Sequence, residues 1–477
     1  MANFAQSTVM FIKQLYTGCL SEAAYYIESG SEAAIIDPLR DIEAYIQLAH
    51  ERNASIKYIL ETHFHADFVS GHLDLSKATG APIIYGPGTE TSFDIHQATD
   101  SEIFQLGSIT IEVLHTPGHT IESSCYLVRD EHKKPYAIFT GDTLFVGDVG
   151  RPDLSSGNLG KEELAGMLYD SLRKKIMVLP DDVIVYPAHG PGSSCGKNLG
   201  PNTFSTIADE KKDNYALLPV SKDEFIKSVT DGLEAPPSYF PINAKINKEG
   251  YESLDEVLEN GLKPLSVDEF KKQINENDPI ILDTRNETVF SQGFAPGSIS
   301  IGLDGRFAEW AGSLLPFDKQ IILVTDIGKE KETVVRLARV GFDKIAGYLN
   351  GSFEAWQKSG NDIDLIIDVD ADELAMDLPF DKNLIVIDVR RETEFADGHI
   401  YGAINIPLNE MNDPASMANL EETQNLYLHC GGGYRSVIAA SLLKRQGIHN
   451  LRNVSGGWGK IKEQKSIQIV KENSVLN

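Results

Sequence analysis

Three pairs of residues in the second half of this chain share one spacing. Asp283 and Asp388, Gly297 and Gly402, and Gly351 and Gly456 each lie 105 positions apart (388 − 283, 402 − 297, 456 − 351). Ile281-Leu-Asp283-Thr-Arg285 is echoed by Ile387-Asp388-Val-Arg390, and Gly297-Ser-Ile-Ser by Gly402-Ala-Ile-Asn. A chance spacing does not recur at three separate strand-end or turn residues, so the fold must be duplicated here. Short apolar strands alternating with amphipathic segments predict two tandem α/β domains of about 100 residues, each built on a largely parallel sheet. At 477 residues the whole chain is too long for one core. Three regions are expected, 1–235, 236–361 and 362–477.

The last region carries a reactive cysteine. Cys430-Gly431-Gly432-Gly433-Tyr434-Arg435-Ser436 follows the apolar run Asn425-Leu-Tyr-Leu-His429. A glycine loop between a buried strand and a helix expected to begin near Ser436 turns backbone N–H groups toward the sulfur, and the helix N-terminus adds partial positive charge. Such a loop seats a thiolate and the persulfide it can carry. With Asp388-Val-Arg390, Glu394-Phe, Gly398-His399-Ile and Gly402-Ala-Ile-Asn-Ile-Pro407, the stretch resembles a rhodanese domain. Its loop is one residue tighter than the phosphate cradle of protein tyrosine phosphatases. The resemblance implies that Cys430 carries sulfane sulfur, that Arg435 stabilises the anionic sulfur, and that the amides of Gly431, Gly432, Gly433 and Tyr434 bind it. Asp388, Arg390, Glu394 and His399 read as a structural polar network.

The earlier copy places Thr325-Asp326-Ile-Gly-Lys-Glu-Lys331 where the cysteine loop should be. A carboxylate forms no persulfide and repels an anionic one, so this copy reads as a non-catalytic rhodanese-like domain.

The first region has separate chemistry. The strand-like Tyr58-Ile-Leu-Glu runs into Thr62-His63-Phe-His65-Ala-Asp67-Phe68, and later come Thr116-Pro117-Gly118-His119, Thr140-Gly141-Asp142-Thr143 and Tyr186-Pro-Ala-His189-Gly190. Each places a potential metal ligand just past an apolar strand, where loops converge. In this order the motifs resemble the metallo-β-lactamase fold, an αββα sandwich with its metal at one rim. Hydrolases of that fold hold two metals with a histidine directly after the aspartate, where this chain has Phe68. A phenyl ring donates nothing, so one metal is expected, held by His63, His119 and Asp142, with His65 as a further candidate. Two histidines and one carboxylate suit non-haem Fe(II). By resemblance to persulfide dioxygenases, the ion is one Fe(II) per chain, with zinc as the alternative, and His65, Asp67 and His189 are remnants of a second site. Arg151 could clamp an anionic substrate or pin its own loop through Asp153. Cys195 lies in a Gly/Ser/Pro loop beside the same rim, a poor setting for apolar packing, and relatives joining these domains use a cysteine there to handle persulfide. Cys19, Cys125 and His115 read as core residues.

Together the motifs imply a bifunctional enzyme that oxidises a low-molecular-weight persulfide to sulfite with O₂ and moves sulfane sulfur through Cys430 to form or use thiosulfate, keeping sulfide low. The alternatives are a glyoxalase II-like thioester hydrolase fused to a sulfurtransferase, and a non-enzymatic sulfur carrier or sensor. A formal charge of −27 disfavours nucleic acid or an anionic membrane as partner. No apolar run approaches a membrane span, and four scattered cysteines are too sparse for a disulfide framework. A cytoplasmic protein is expected. Homo-oligomer formation and the thiol that carries the persulfide stay open.

Overall fold

The computed structural model of the chain describes residues 10–154, 159–197, 199–411, 420–421 and 423–472. It divides into two compact units, Met1–Leu254 with Ala338–Gly341, and Asp255–Leu337 with Phe342–Asn477. Among the described residues no helix is long and apolar enough to cross a membrane.

The first unit holds two six-stranded sheets. One contains β1 (Phe11–Thr17), β2 (Glu22–Ser29), β3 (Glu32–Ile36), β4 (Ser55–Leu60), β5 (Ile83–Tyr85) and β6 (His96–Gln97) in that spatial order. The other runs from β12 (Ser205–Thr206) through β11 (Ile184–Pro187), β10 (Pro135–Gly141), β9 (Ser124–Arg129) and β8 (Ile109–His115) to β7 (Ile103–Leu106). Side chains alternate across a strand, so β2 serves two layers at once. Ala23, Tyr25 and Ile27 pack against Ile111, Val113, Tyr126 and Phe139 of the facing sheet. Ala24 and Tyr26 turn the other way, onto Tyr45 and Leu75 of the helices Glu43–Arg52 and His72–Thr79. The second sheet is covered likewise by Ala165, Leu168 and Phe225 from the helices Lys161–Ser171 and Lys222–Thr230. The αββα sandwich implied by the ligand motifs is therefore present.

Strand direction explains why those motifs meet. β8 is antiparallel to β9 and β9 to β10, while β10 and β11 are parallel, so β8, β10 and β11 all end at the same rim.

The second unit contains two five-stranded sheets of identical order. The first is β13 (Pro264–Leu265), β17 (Ile345–Leu349), β16 (Ile321–Val324), β14 (Ile280–Asp283) and β15 (Ile299–Ser300). The second is β18 (Ile367–Val369), β23 (Leu451–Val454), β22 (Asn425–His429), β19 (Leu384–Asp388) and β21 (Ile404–Asn405). A small ribbon pairs β20 (His399–Ile400) with β24 (Ile469–Val470). All pairs in the two five-stranded sheets are parallel, as the duplicated motifs require. The repeat extends to side-chain detail. Arg285 grips Asp283 and reaches Gly293 O at 2.9 Å, and Arg390 grips Asp388 and reaches Gly398 O at 2.7 Å.

Candidate metal centre and cysteine loop

His63, His119 and Asp142 follow β4, β8 and β10, and each is 2% exposed. Their donor atoms lie within 4.8 Å of one another. Asp142 Oδ2 is 3.4 Å from His119 Nε2 and 3.8 Å from His63 Nε2. Other groups fix both rings. Thr62 Oγ1 donates to Asp37 Oδ2 at 2.9 Å and so accepts from His63 Nδ1, also at 2.9 Å. His119 Nδ1 donates to the Arg151 carbonyl at 2.8 Å. Each imidazole thus turns its Nε2 lone pair inward. Burial, then the neighbouring His65, His119 and His189, hold His63 well below its ordinary pKa, which keeps it neutral. Gly150 permits the close approach of the next loop, since a Cβ there would lie 2.0 Å from Asp142 O and 3.0 Å from His119 Nδ1.

Both Asp142 carboxylate oxygens are buried without a hydrogen-bond partner among the described residues. A buried carboxylate that no donor satisfies is costly, and the imidazoles of His63, His119 and His189 all turn Nε2 toward it, at 3.8, 3.4 and 3.4 Å. The donor set therefore fits a divalent cation.

Asp142 also faces a second group. Its Oδ1 lies 3.4 Å from His189 Nε2, which is 3.5 Å from Asp67 Oδ2. His189 donates through Nδ1 to Ser21 O at 3.2 Å. Cys195 joins Asp142 and His189 within the same 4.8 Å limit. The remnant group is thus better furnished with donors than the sequence suggests, because Cys195, remote in sequence from Phe68, supplies a further one. Cys195 is 2% exposed, and burial together with the Asp67 and Asp142 carboxylates pushes its thiol well up. Phe68 is fully buried, its ring 4.3 Å from that of His65.

The His65 ring lies 4.2 Å from that of His63 but faces other groups. It lies within reach of Asp67 and His189, but its Nε2 is 3.1 Å from Asp37 Oδ1 and 3.5 Å from Glu61 Oε2. Burial works against the imidazolium, yet the two carboxylates prevail and hold its pKa well above the ordinary value. His65 thus meets both the Asp37 and Glu61 carboxylates and the Asp67–His189 group. Asp37 and Glu61 were not singled out from the sequence. Neither was Asn247, fully buried, which donates to His65 O and Phe68 O and accepts from Ser70 N–H, all at 2.8 Å. Only the Asp at the end of a strand run could have flagged Asp37, and nothing local flags Asn247.

The remaining candidates sort by geometry. Arg151 pairs through two bonds of 2.7 Å with Asp153 and reaches Glu234 O at 2.5 Å, so it pins its own loop. Cys125 is core, as expected, and burial pushes its thiol up to about 11. Cys19 and His115 are not. Cys19 is half-buried in the turn after β1, and His115 ends β8 half-buried, its Nε2 2.9 Å from Ile121 O.

In the second unit, Cys430 lies between β22 and the helix Tyr434–Arg445. That helix begins two residues earlier than expected because Gly433, at φ +123°, makes the turn into it. Gly433 N–H donates to Cys430 Sγ at 3.1 Å, and the hydroxyl of Ser436, a residue given no role from the sequence, does so at 3.6 Å. Arg435 forms a two-bond pair with Glu394 at 2.7 and 2.9 Å, with its Nη2 beside Gly431. Glu394 therefore belongs to the loop, whereas Asp388 and Arg390 form the structural pair expected of them. In the first copy Asp326 is exposed, and Gly328 N–H donates to Glu330 at 3.1 Å.

Residues 17–189 match the metallo-beta-lactamase superfamily, and residues 266–359 and 370–464 match the rhodanese-like domain. A probable hydroxyacylglutathione hydrolase of Schizosaccharomyces pombe is 36% identical over 177 residues, 36% of this chain and 64% of that protein. The chain thus spans just under two thirds of that relative. The mitochondrial persulfide dioxygenase of Bos taurus is 31% identical over 207 residues, 43% of this chain and 73% of that protein. The crystal structure of a metallo-beta-lactamase from Staphylococcus aureus superposes with a TM-score of 0.65 at 33% identity, covering 72% of this chain and 99% of that one.

Proposed function

From a chain that belongs to the metallo-beta-lactamase superfamily and carries two rhodanese-like domains, we propose a bifunctional enzyme of sulfur metabolism. The first part oxidises a low-molecular-weight persulfide to sulfite with O₂, and the last transfers sulfane sulfur through Cys430. The observation that carries the first half is the buried two-histidine, one-carboxylate set of His63, His119 and Asp142, a donor set suited to non-haem iron.

These three residues would hold one Fe(II) per chain. When bound, that ion supplies the one-electron chemistry that lets triplet O₂ react with a singlet sulfur anion. The chain's own part is positioning. Thr62 and the Arg151 carbonyl hold the two imidazoles in one tautomer, and burial keeps bulk water from the three donors. Cys195 stands beside Asp142 and His189, where it would contact a bound persulfide.

At Cys430 the thiolate attacks the sulfane sulfur of a persulfide, forming a Cys430–S–S⁻ anion and releasing the carrier thiol, which takes the persulfide's proton. Sulfite then attacks the outer sulfur, giving thiosulfate and restoring the thiolate. Gly433 N–H and the Ser436 hydroxyl face Cys430 Sγ, which carries the thiolate charge before and after the transfer. A cytoplasmic setting suits reversible thiol chemistry of this kind.

A second reading, a two-metal thioester hydrolase, is favoured by one observation. Asp142 turns its Oδ1 to His189, which also meets Asp67, as well as its Oδ2 to the first group. Anaerobic loading with Fe(II), metal analysis, and O₂ uptake over a panel of persulfides separate the two. One iron per chain with sulfite as product supports the dioxygenase. Two zinc ions, thioester hydrolysis and no O₂ uptake would overturn it.

A further inference from the structure

We propose that the cysteine-less rhodanese-like copy is the template that holds the Cys430 loop in its sulfur-accepting shape, with Tyr434 as the positioning residue between them. The proposal rests on the sulfurtransferase reading of Cys430 and assigns a role to the copy that carries no thiol.

Three side chains of the helix Tyr434–Arg445 bind one short run of the first copy. Tyr434 Oη–H donates to Gly302 O at 2.9 Å, Ser441 Oγ accepts from Ser300 N–H at 3.0 Å, and Arg445 Nη1 donates to Gly297 O at 2.9 Å. Steps of seven and four residues return to the same side of an α-helix, so the three form one stripe. On the other side of the contact the numbering runs backwards, from Gly302 to Gly297. Eleven helical residues rise about 16.5 Å, and five extended residues cover about the same length. The two segments are therefore matched end to end.

The run in question contains β15, the edge strand of its sheet. An edge strand leaves N–H and C=O groups unpaired on its outer side; the helix takes up the Ser300 N–H there and the Gly302 carbonyl just beyond β15. Tyr434 is the first residue of that helix and directly follows Gly433, whose N–H donates to Cys430 Sγ. Anchoring the phenol therefore fixes the Cα next to the glycine that supplies the donor. Burial raises the phenol's pKa above its ordinary value, so it stays a donor. Gly302 suits the contact, because a Cβ there would sit 3.4 Å from Tyr434 Cε2 and 3.2 Å from Arg285 O.

The test uses the full chain. Tyr434→Phe keeps the ring and removes the hydrogen bond, and Gly302→Val presses on the same ring from the other copy. Each is expected to lower kcat for thiosulfate-dependent sulfur transfer by about 5- to 10-fold, the scale of one hydrogen bond, with KM unchanged. Alkylation of Cys430 by iodoacetamide at fixed pH should slow in parallel, and the double variant should lose less than the product of the two. Should Gly302→Val fail to fold by circular dichroism, Gly302→Ala places one methyl at the same point. Wild-type kcat and alkylation rates in folded Tyr434→Phe overturn the template role, as do fully multiplicative losses. A wild-type protein that accepts no sulfur at Cys430 refutes the sulfurtransferase reading instead, and the alkylation rates still decide the template.

Discussion

Thr62→Val tests whether the rim is organised to hold a metal. Valine nearly matches threonine in shape, so the change removes a hydroxyl and little else. Thr62 is 2% exposed, and its hydroxyl makes two bonds of 2.9 Å, one to His63 Nδ1 and one to Asp37 Oδ2. The Asp37 bond is lost with or without metal and costs folding stability, about 1–3 kcal/mol for a buried charged acceptor. Asp37 keeps Thr62 N–H at 2.8 Å and His65 at 3.1 Å, which favours the lower end. The His63 bond acts on the metal, because without it the ring can rotate or change tautomer. Removing a partner that orients a ligating imidazole typically weakens metal binding by about 10- to 100-fold. Competition against a chromophoric chelator, with Fe(II) under anaerobic conditions and with Zn(II), measures that ratio directly. An affinity within twofold of wild type in a folded variant would refute the placement of the metal at His63 Nε2.

Three other outcomes are expected. Cys430→Ser should abolish sulfur transfer and leave O₂ uptake with persulfide intact, measured by thiosulfate production and an oxygen electrode; joint loss would contradict two independent centres. Asp326→Cys should create no second transferase, since Asp326 is exposed and the nearby Gly328 N–H is already given to Glu330; cyanide-dependent sulfur release in a Cys430→Ser background checks this. Burial alone would raise the Glu394 carboxyl, but its bonds to Arg435 hold it below the ordinary value. A lowered folded-state pKa adds stability that is full above the unfolded value of about 4.3 and is lost as pH falls through the folded value. Melting temperatures should therefore fall less steeply below about pH 4 in Glu394→Gln than in wild type, relative to each protein at neutral pH.

The sequence alone determined what is local. His63, His119, Asp142 and His189 each sit within a few residues of a strand's end, and Cys430 opens a glycine loop next to a helix. Strand, turn and ligand are encoded together there, so the motif already contains its geometry. The duplicated rhodanese-like fold was legible for a similar reason, because a constant offset survives whatever the chain does between the matched residues. Tertiary structure decided which distant groups complete each site. Asp37 and Asn247 come to the first rim from separate elements, Cys195 reaches Asp142 from the loop after β11, and Glu394 meets Arg435 over 41 residues. Gly302 meets Tyr434 from another copy of the fold. A buried polar atom needs a partner in space, not in sequence. Strand order and packing choose that partner, and no local pattern of residues carries the choice.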